Sequence, residues 1–130
     1  MVTVGNLMQT EPVMVEVGTS VVETAKLMRV SNVESVLVTR QTQIIGIVTE
    51  SDIVKKFVGA NKTPYFVPVE DIMSSPVPGI EEQQPLTEAA DRMNKHRTFH
   101  VGGTRGGTVI GLVSVRDSLK PVSIDDFWDY

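Results

Sequence analysis

Apolar residues recur along this chain in two stretches of helical spacing, each followed by two runs of strand-like character. Val21, Ala25 and Met28 fall at i, i+4 and i+7, which puts them on one face of a helix. Ser20 precedes that face and Glu23 follows three residues later, a spacing that predicts a capping box at the helix start. Upstream, Val13-Met14-Val15 reads as a short extended run fixed after Pro12. Downstream, Val36-Leu37-Val38 and Ile44-Ile45-Gly46-Ile47-Val48 are rich in β-branched residues and predict two strands. The polar Arg40-Gln41-Thr42-Gln43 between them predicts a hairpin connection. A second helix is expected from Ser51, carrying Ile53, Val54 and Phe57 and stopping near Gly59.

The whole pattern then returns 65 positions later, as Ala90 answers Ala25, Gly111 answers Gly46 and Asp117 answers Asp52. Leu86, Ala90 and Met93 repeat the helical stripe, with Pro85 suited to a first helical turn. Ile45-Gly46-Ile47-Val48-Thr49-Glu50-Ser51-Asp52 recurs as Ile110-Gly111-Leu112-Val113-Ser114-Val115-Arg116-Asp117, and the opening Leu7-Met8 recurs as Ile72-Met73. A repeat of this length is one supersecondary unit used twice, neither copy able to bury its apolar face alone. The expected fold class is α+β: two tandem β-α-β-β-α repeats related by a pseudo-two-fold axis. The expected boundaries are residues 1–58 for the first repeat, 59–68 for a linker, 69–122 for the second repeat and 123–130 for an acidic, aromatic tail. The second hairpin, Arg105-Gly106-Gly107, is the better turn because glycine accepts positive φ. Pro121 shortens the last helix. Gly46 and Gly111 interrupt strand patterns, which marks close approach of another backbone.

Composition narrows the function. With 130 residues and 41% hydrophobic content the chain suits one domain, or two small ones sharing a core. No stretch reaches the apolar length of a membrane helix, and the first residues lack the basic and apolar regions of a secretory signal. Cysteine is absent, which excludes a disulfide framework and thiolate metal sites and fits a reducing cytoplasm, the expected location. A net charge of −4 argues against nucleic acid; Lys95-His96-Arg97 is a small basic group that suits a solvated helix end. The chain offers two histidines, no metal-ligand spacing and no nucleophile beside a recognisable base, so no catalytic residue and no metal ligand is assigned and a non-enzyme is expected. The glycine-rich run from Gly102 to Thr108 leads into a strand without Gly-Lys-Ser/Thr, so it reads as a hairpin and not a phosphate loop.

The five-element order, the paired openings and the Gly-hydrophobic-hydrophobic-Thr/Ser-x-x-Asp ending of both copies resemble the CBS domain family, two of which form a Bateman module. That resemblance covers Val4 to Val122. It implies a regulatory, ligand-sensing module that binds an adenine nucleotide in clefts between the repeats, with AMP favoured over ATP, ADP and S-adenosylmethionine. It also implies a homodimer, head-to-head or head-to-tail, and a regulated protein partner that the sequence does not name. A dimerisation or interaction module that keeps the fold without a ligand is the alternative.

Each Thr/Ser-x-x-Asp ending has two readings. As a cap, the hydroxyl accepts from the first helical turn and the carboxylate favours the dipole. As a site, Ser114 and Asp117 would hold a ribose. The resemblance further implies His100 on the phosphate, with Arg97 three residues before it, and a pocket wall of Thr10, Pro12, Val13, Met14, Asn32 and Val33. Glu34 departs from the family pattern and would repel phosphate, which is why the monophosphate is favoured. The second cleft would combine Thr49 and Asp52 with Ser75, Val77, Pro78, Thr98 and Phe99. Asn32 and Ser35 stand where Arg97 and His100 stand in the other copy, so the cleft of Asp117 is expected to bind more tightly.

Overall fold

The computed structural model describes residues 1–62 and 66–118; the expected tail, the end of the second repeat and positions 63–65 of the expected linker lie outside the described residues. The chain opens with a helical turn, α1 (Val4–Leu7), followed by β1 (Met14–Glu16), α2 (Val21–Ser31), β2 (Ser35–Arg40) and β3 (Gln43–Thr49). A short α3 (Glu50–Asp52) runs on as a π-helical turn over Ile53–Val58. A 3-10 turn (Val69–Asp71) then leads to β4 (Gly79–Glu81), α4 (Leu86–His96), β5 (His100–Arg105), β6 (Thr108–Ser114) and α5 (Val115–Ser118). The strands form two three-stranded sheets, β1-β2-β3 and β4-β5-β6. In each, the first strand pairs parallel with the second across the helix, and the second pairs antiparallel with the third. Both antiparallel pairs shift register at equivalent points, between Val38 and Thr39 and between Gly103 and Thr104.

Local chemistry sets the element ends. Ser20 caps α2 by accepting from the Glu23 N–H at 3.0 Å, but the Glu23 carboxylate pairs with Lys26 at 3.5 Å. Half of the expected capping box therefore forms. Both long helices stop on a residue in the left-handed region, Asn32 (φ 54°) and Arg97 (φ 53°). On α2 the buried face consists of Val21, Thr24 and Met28, with Ala25 at its edge. Phe57, on the π-helical turn, is 4% exposed and packs in the core with Val67, Val69 and Ile72.

The openings exchange partners. Val4 of α1 belongs to the core of the second repeat, with Ile80, Ala89, Met93, Val101 and Val113. Val69 and Ile72 belong to the core of the first, with Val21, Val36 and Val48. Paired bridges fix the swap: Gln9 with Leu112 and Ser74 with Ile47, Thr3 with Pro85 and Pro68 with Ser20. The expected close approach at the strand glycines is made by these openings. A Cβ on Gly46 would lie 2.9 Å from the Ser74 carbonyl oxygen, and one on Gly111 would lie 2.8 Å from that of Gln9. A third cluster, Leu37, Ile47 and Leu112, joins the two sheets between the copies.

The two hairpins give a direct test of backbone strain. Gly106 and Gly107 take φ of 57° and 83°, whereas Gln41 and Thr42 hold 51° and 67° with side chains attached. A turn with both central residues left-handed favours Asn-Gly. Replacing Gln41-Thr42 by Asn-Gly is expected to stabilise the fold by about 1 kcal/mol. In a thermal melt the midpoint should rise by ~4 °C; an unchanged or lowered midpoint would contradict the strain argument.

Candidate functional site

A cavity of about 550 Å³ opens where the end of β6 meets the loop between α2 and β2. One wall comes from the second repeat: Ser114 and Asp117 at the β6–α5 junction, His100 at the start of β5, and Leu112. The opposite wall comes from the first: Pro12 and Val13 before β1, then Asn32, Val33, Glu34 and Ser35. Strand pairing sets His100 directly across from Ser114, so the two polar groups enter the cavity side by side. Ser114 donates to the Asp117 carboxylate from its backbone N–H at 2.8 Å and from its hydroxyl at 3.2 Å. Those bonds hold the carboxylate at the head of α5, where it lines the cavity.

Seven of the ten residues expected in this cleft therefore share one cavity: Pro12, Val13, Asn32, Val33, His100, Ser114 and Asp117. Thr10 and Met14 do not line it. Thr10 is exposed, and Met14 is 45% exposed on β1. Gln9 takes the inner position because its backbone is tied to Leu112 by bonds of 2.7 and 3.0 Å. Arg97 sits elsewhere. As the left-handed cap of α4 it lines a separate groove of about 270 Å³, with Leu86, Met93, Thr98, Phe99 and Val115.

Arg116, like Gln9 and Leu112, lines the cavity without having been expected there. It forms an ion pair with Glu34 across the repeat boundary. The signal was a difference between the copies, since Ser51 stands at the equivalent point. Glu34 does face the cleft, as expected, but its charge is matched by a cation.

The residues expected in the second cleft are arranged differently. Thr49 and Asp52 form a full capping box: the Thr49 hydroxyl accepts from the Asp52 N–H at 3.2 Å, and the carboxylate accepts from the Thr49 N–H at 2.9 Å. Lys56 lies 2.9 Å from the other carboxylate oxygen and also donates to the Ile72 carbonyl at 3.2 Å. Asp52 is 9% exposed. Ser75 donates to the Ile45 carbonyl at 2.6 Å, and Val77 packs on the inter-repeat cluster. The Pro78 carbonyl accepts from Gly102, while Thr98 and Phe99 line the smaller groove. Lys56 thus sits on the carboxylate that would receive a ligand there, while the cap itself has its counterpart in Ser114 and Asp117.

The family model of the CBS domain matches residues 4–59 and again 69–117. The chain belongs to the CBS domain family. A 17.7 kDa protein of Acidianus ambivalens is 33% identical to this CBS pair over 119 residues, 90% of this chain and 71% of that one. Protein MJ0450 of Methanocaldococcus jannaschii is 32% identical over 88% of this chain and 63% of its own length. Among solved structures, a conserved protein from Pyrococcus horikoshii superposes with a TM-score of 0.86 at 27% identity, covering 94% of this chain and 96% of that one. The CBS domain pair of protein MJ0100, solved with methylthioadenosine and S-adenosyl-L-methionine, superposes at 0.80 and 24% identity, covering 92% and 94% of the two chains; it shares the fold. Among the described residues of this CBS pair, no helix is long and apolar enough to cross a membrane.

His100 is 8% exposed between the two repeats. Burial lowers its pKa from the ordinary 6.5, and the carboxylates of Glu34, Glu50, Asp117 and Asp52 offset that only in part. The imidazole is therefore neutral at pH 7. The linkage sign follows: below 6.5 the unfolded chain takes the proton first, so stability is complete above 6.5 and declines as the pH falls toward the folded value. Urea unfolding from pH 8 to pH 5.5 should show a steeper acid loss for the native protein than for His100→Gln. Parallel profiles for the two proteins would refute the assignment.

Proposed function

We propose that this CBS pair is a regulatory, non-catalytic module that senses an adenine nucleotide in the cleft of Asp117, with AMP as the favoured ligand. The observation that carries the reading is the cavity itself. Its volume of about 550 Å³ suits a small ligand, and its apolar Val13, Val33 and Leu112 face a few polar groups, as a purine site requires. In this reading the ribose hydroxyls meet Asp117 and Ser114, the base lies against Val13 and Val33, and the phosphate lies toward Arg116 and His100. Support for the ligand class comes from the pair of protein MJ0100, whose structure holds two adenosine-type compounds on the same fold.

The charge of the lining ranks the candidates. Arg116 supplies one positive charge against Glu34 and Asp117, with His100 neutral. That balance accepts a monophosphate more readily than the longer anions of ADP or ATP. S-adenosylmethionine is the strongest competitor, because its sulfonium suits the two carboxylates.

Calorimetric titration tests the reading. AMP is expected to bind the native protein, and Asp117→Ala to weaken it by roughly 1.5–3 kcal/mol, the loss of hydrogen bonds to a charged group. Asp52→Ala should leave AMP binding unchanged. Loss of binding in Asp52→Ala alone would move the site to the other cleft. Absence of binding by any adenine compound would favour the interaction module without a ligand.

The same module is proposed to act as a homodimer. Val54, Val58, Phe66 and Phe99 are 55% to 71% exposed, and closed two-fold pairing is the common way for a soluble chain to cover such side chains. Light scattering at micromolar concentration should return twice the chain mass of 14.2 kDa; a monomer would refute this.

A further inference from the structure

Arg116 and Glu34 line two cavities at once. One is the cleft of Asp117; the other is a groove of about 590 Å³ beside it, also lined by Arg29, Glu50, Ile53 and Val54. With Asn32 and Val33, which also line both, the ion pair is part of the wall between them, and it joins α5 of the second repeat to the loop before β2 of the first. Arg116 is 71% exposed and Glu34 27%, so the pair is solvated and contributes little to holding the fold. A phosphate competes with a carboxylate for the guanidinium in that setting, because both accept two parallel hydrogen bonds and the phosphate carries more charge. The twin cleft lacks the device: Phe99 and Ser51 occupy the equivalent positions.

We propose that the Arg116–Glu34 pair is a displaceable latch that sets the ligand's charge and length, Arg116 exchanging Glu34 for a single phosphate while the Glu34 carboxylate bars a longer phosphate chain from the groove. This rests on the ligand reading given above and goes beyond it, since it names the pair that discriminates among adenine compounds. Recognition of the nucleoside and recognition of its charge are then separable. The cavity wall of Val13, Val33, Ser114 and Asp117 handles the first, and the latch handles the second.

The experiment is a calorimetric matrix of adenosine, AMP and ATP against the native protein, Arg116→Gln and Glu34→Gln. Both substitutions fall on solvated side chains, and thermal melts check that the variants fold. Adenosine, which has no phosphate, should bind all three proteins alike. Arg116→Gln should reduce the preference for AMP over adenosine at least tenfold. Glu34→Gln should raise the affinity for ATP at least tenfold and more than it raises that for AMP. If adenosine and AMP bind the native protein but neither ratio moves in the variants, the latch is refuted and the ligand site stands. If no adenosine compound binds the native protein, the ligand site and the latch fall together.

Discussion

Each repeat of this protein completes the other's core. Val4 is fully buried among residues of the second repeat, and Val69 and Ile72 are buried among those of the first. Burying an aliphatic side chain of this size contributes roughly 1.5–3 kcal/mol, a large part of the net stability of a small domain. Without the exchange, each three-stranded sheet would keep an open cavity where the other copy's opening now packs. The cleft between the repeats is built on this arrangement. Gln9 and Leu112, which line the candidate site, are the same residues whose backbones lock the first opening onto the second sheet.

The element order was legible in the sequence because it depends on local signals. Helical spacing, β-branched runs and turn residues act within a few positions, and a repeated pattern lets each copy check the other. Partner exchange was not legible, because Leu7-Met8 and Ile72-Met73 match each other whichever sheet they cover. The depth at which Phe57 is buried was not legible either. The π-helical turn over Ile53–Val58 carries it into the core beside Val67, Val69 and Ile72. In the candidate site, positions fixed by strand register, His100 and Ser114, could be anticipated. Arg97 could not, since its orientation follows from the left-handed cap that ends α4. Arg116 escaped because its role appears only when a side chain from the other repeat, Glu34, is placed beside it.

The two clefts share a backbone plan and differ in charge. Lys56 stands beside Asp52, while the equivalent position in the second repeat is Pro121. Glu34 and Arg116 stand at one mouth, Phe99 and Ser51 at the other. Pseudo-symmetry thus gives one cleft with an ion pair at its mouth and one with a lysine beside its carboxylate. A duplicated fold can divide its labour this way without altering a strand.

The bridges from Ser74 to Ile47 and from Gln9 to Leu112 have a consequence for how the molecule behaves in a crowd. A three-stranded sheet has two outer strands, and an outer strand with unpaired N–H and C=O groups is a template for pairing with another chain. Ile47 and Leu112 spend those groups on the opposite repeat, through bonds of 2.7 to 3.0 Å. The strand pair most able to recruit neighbours into a growing sheet is therefore blocked at its centre by the molecule's own chain. Interlocking the repeats closes the core and guards against polymerisation with the same few residues.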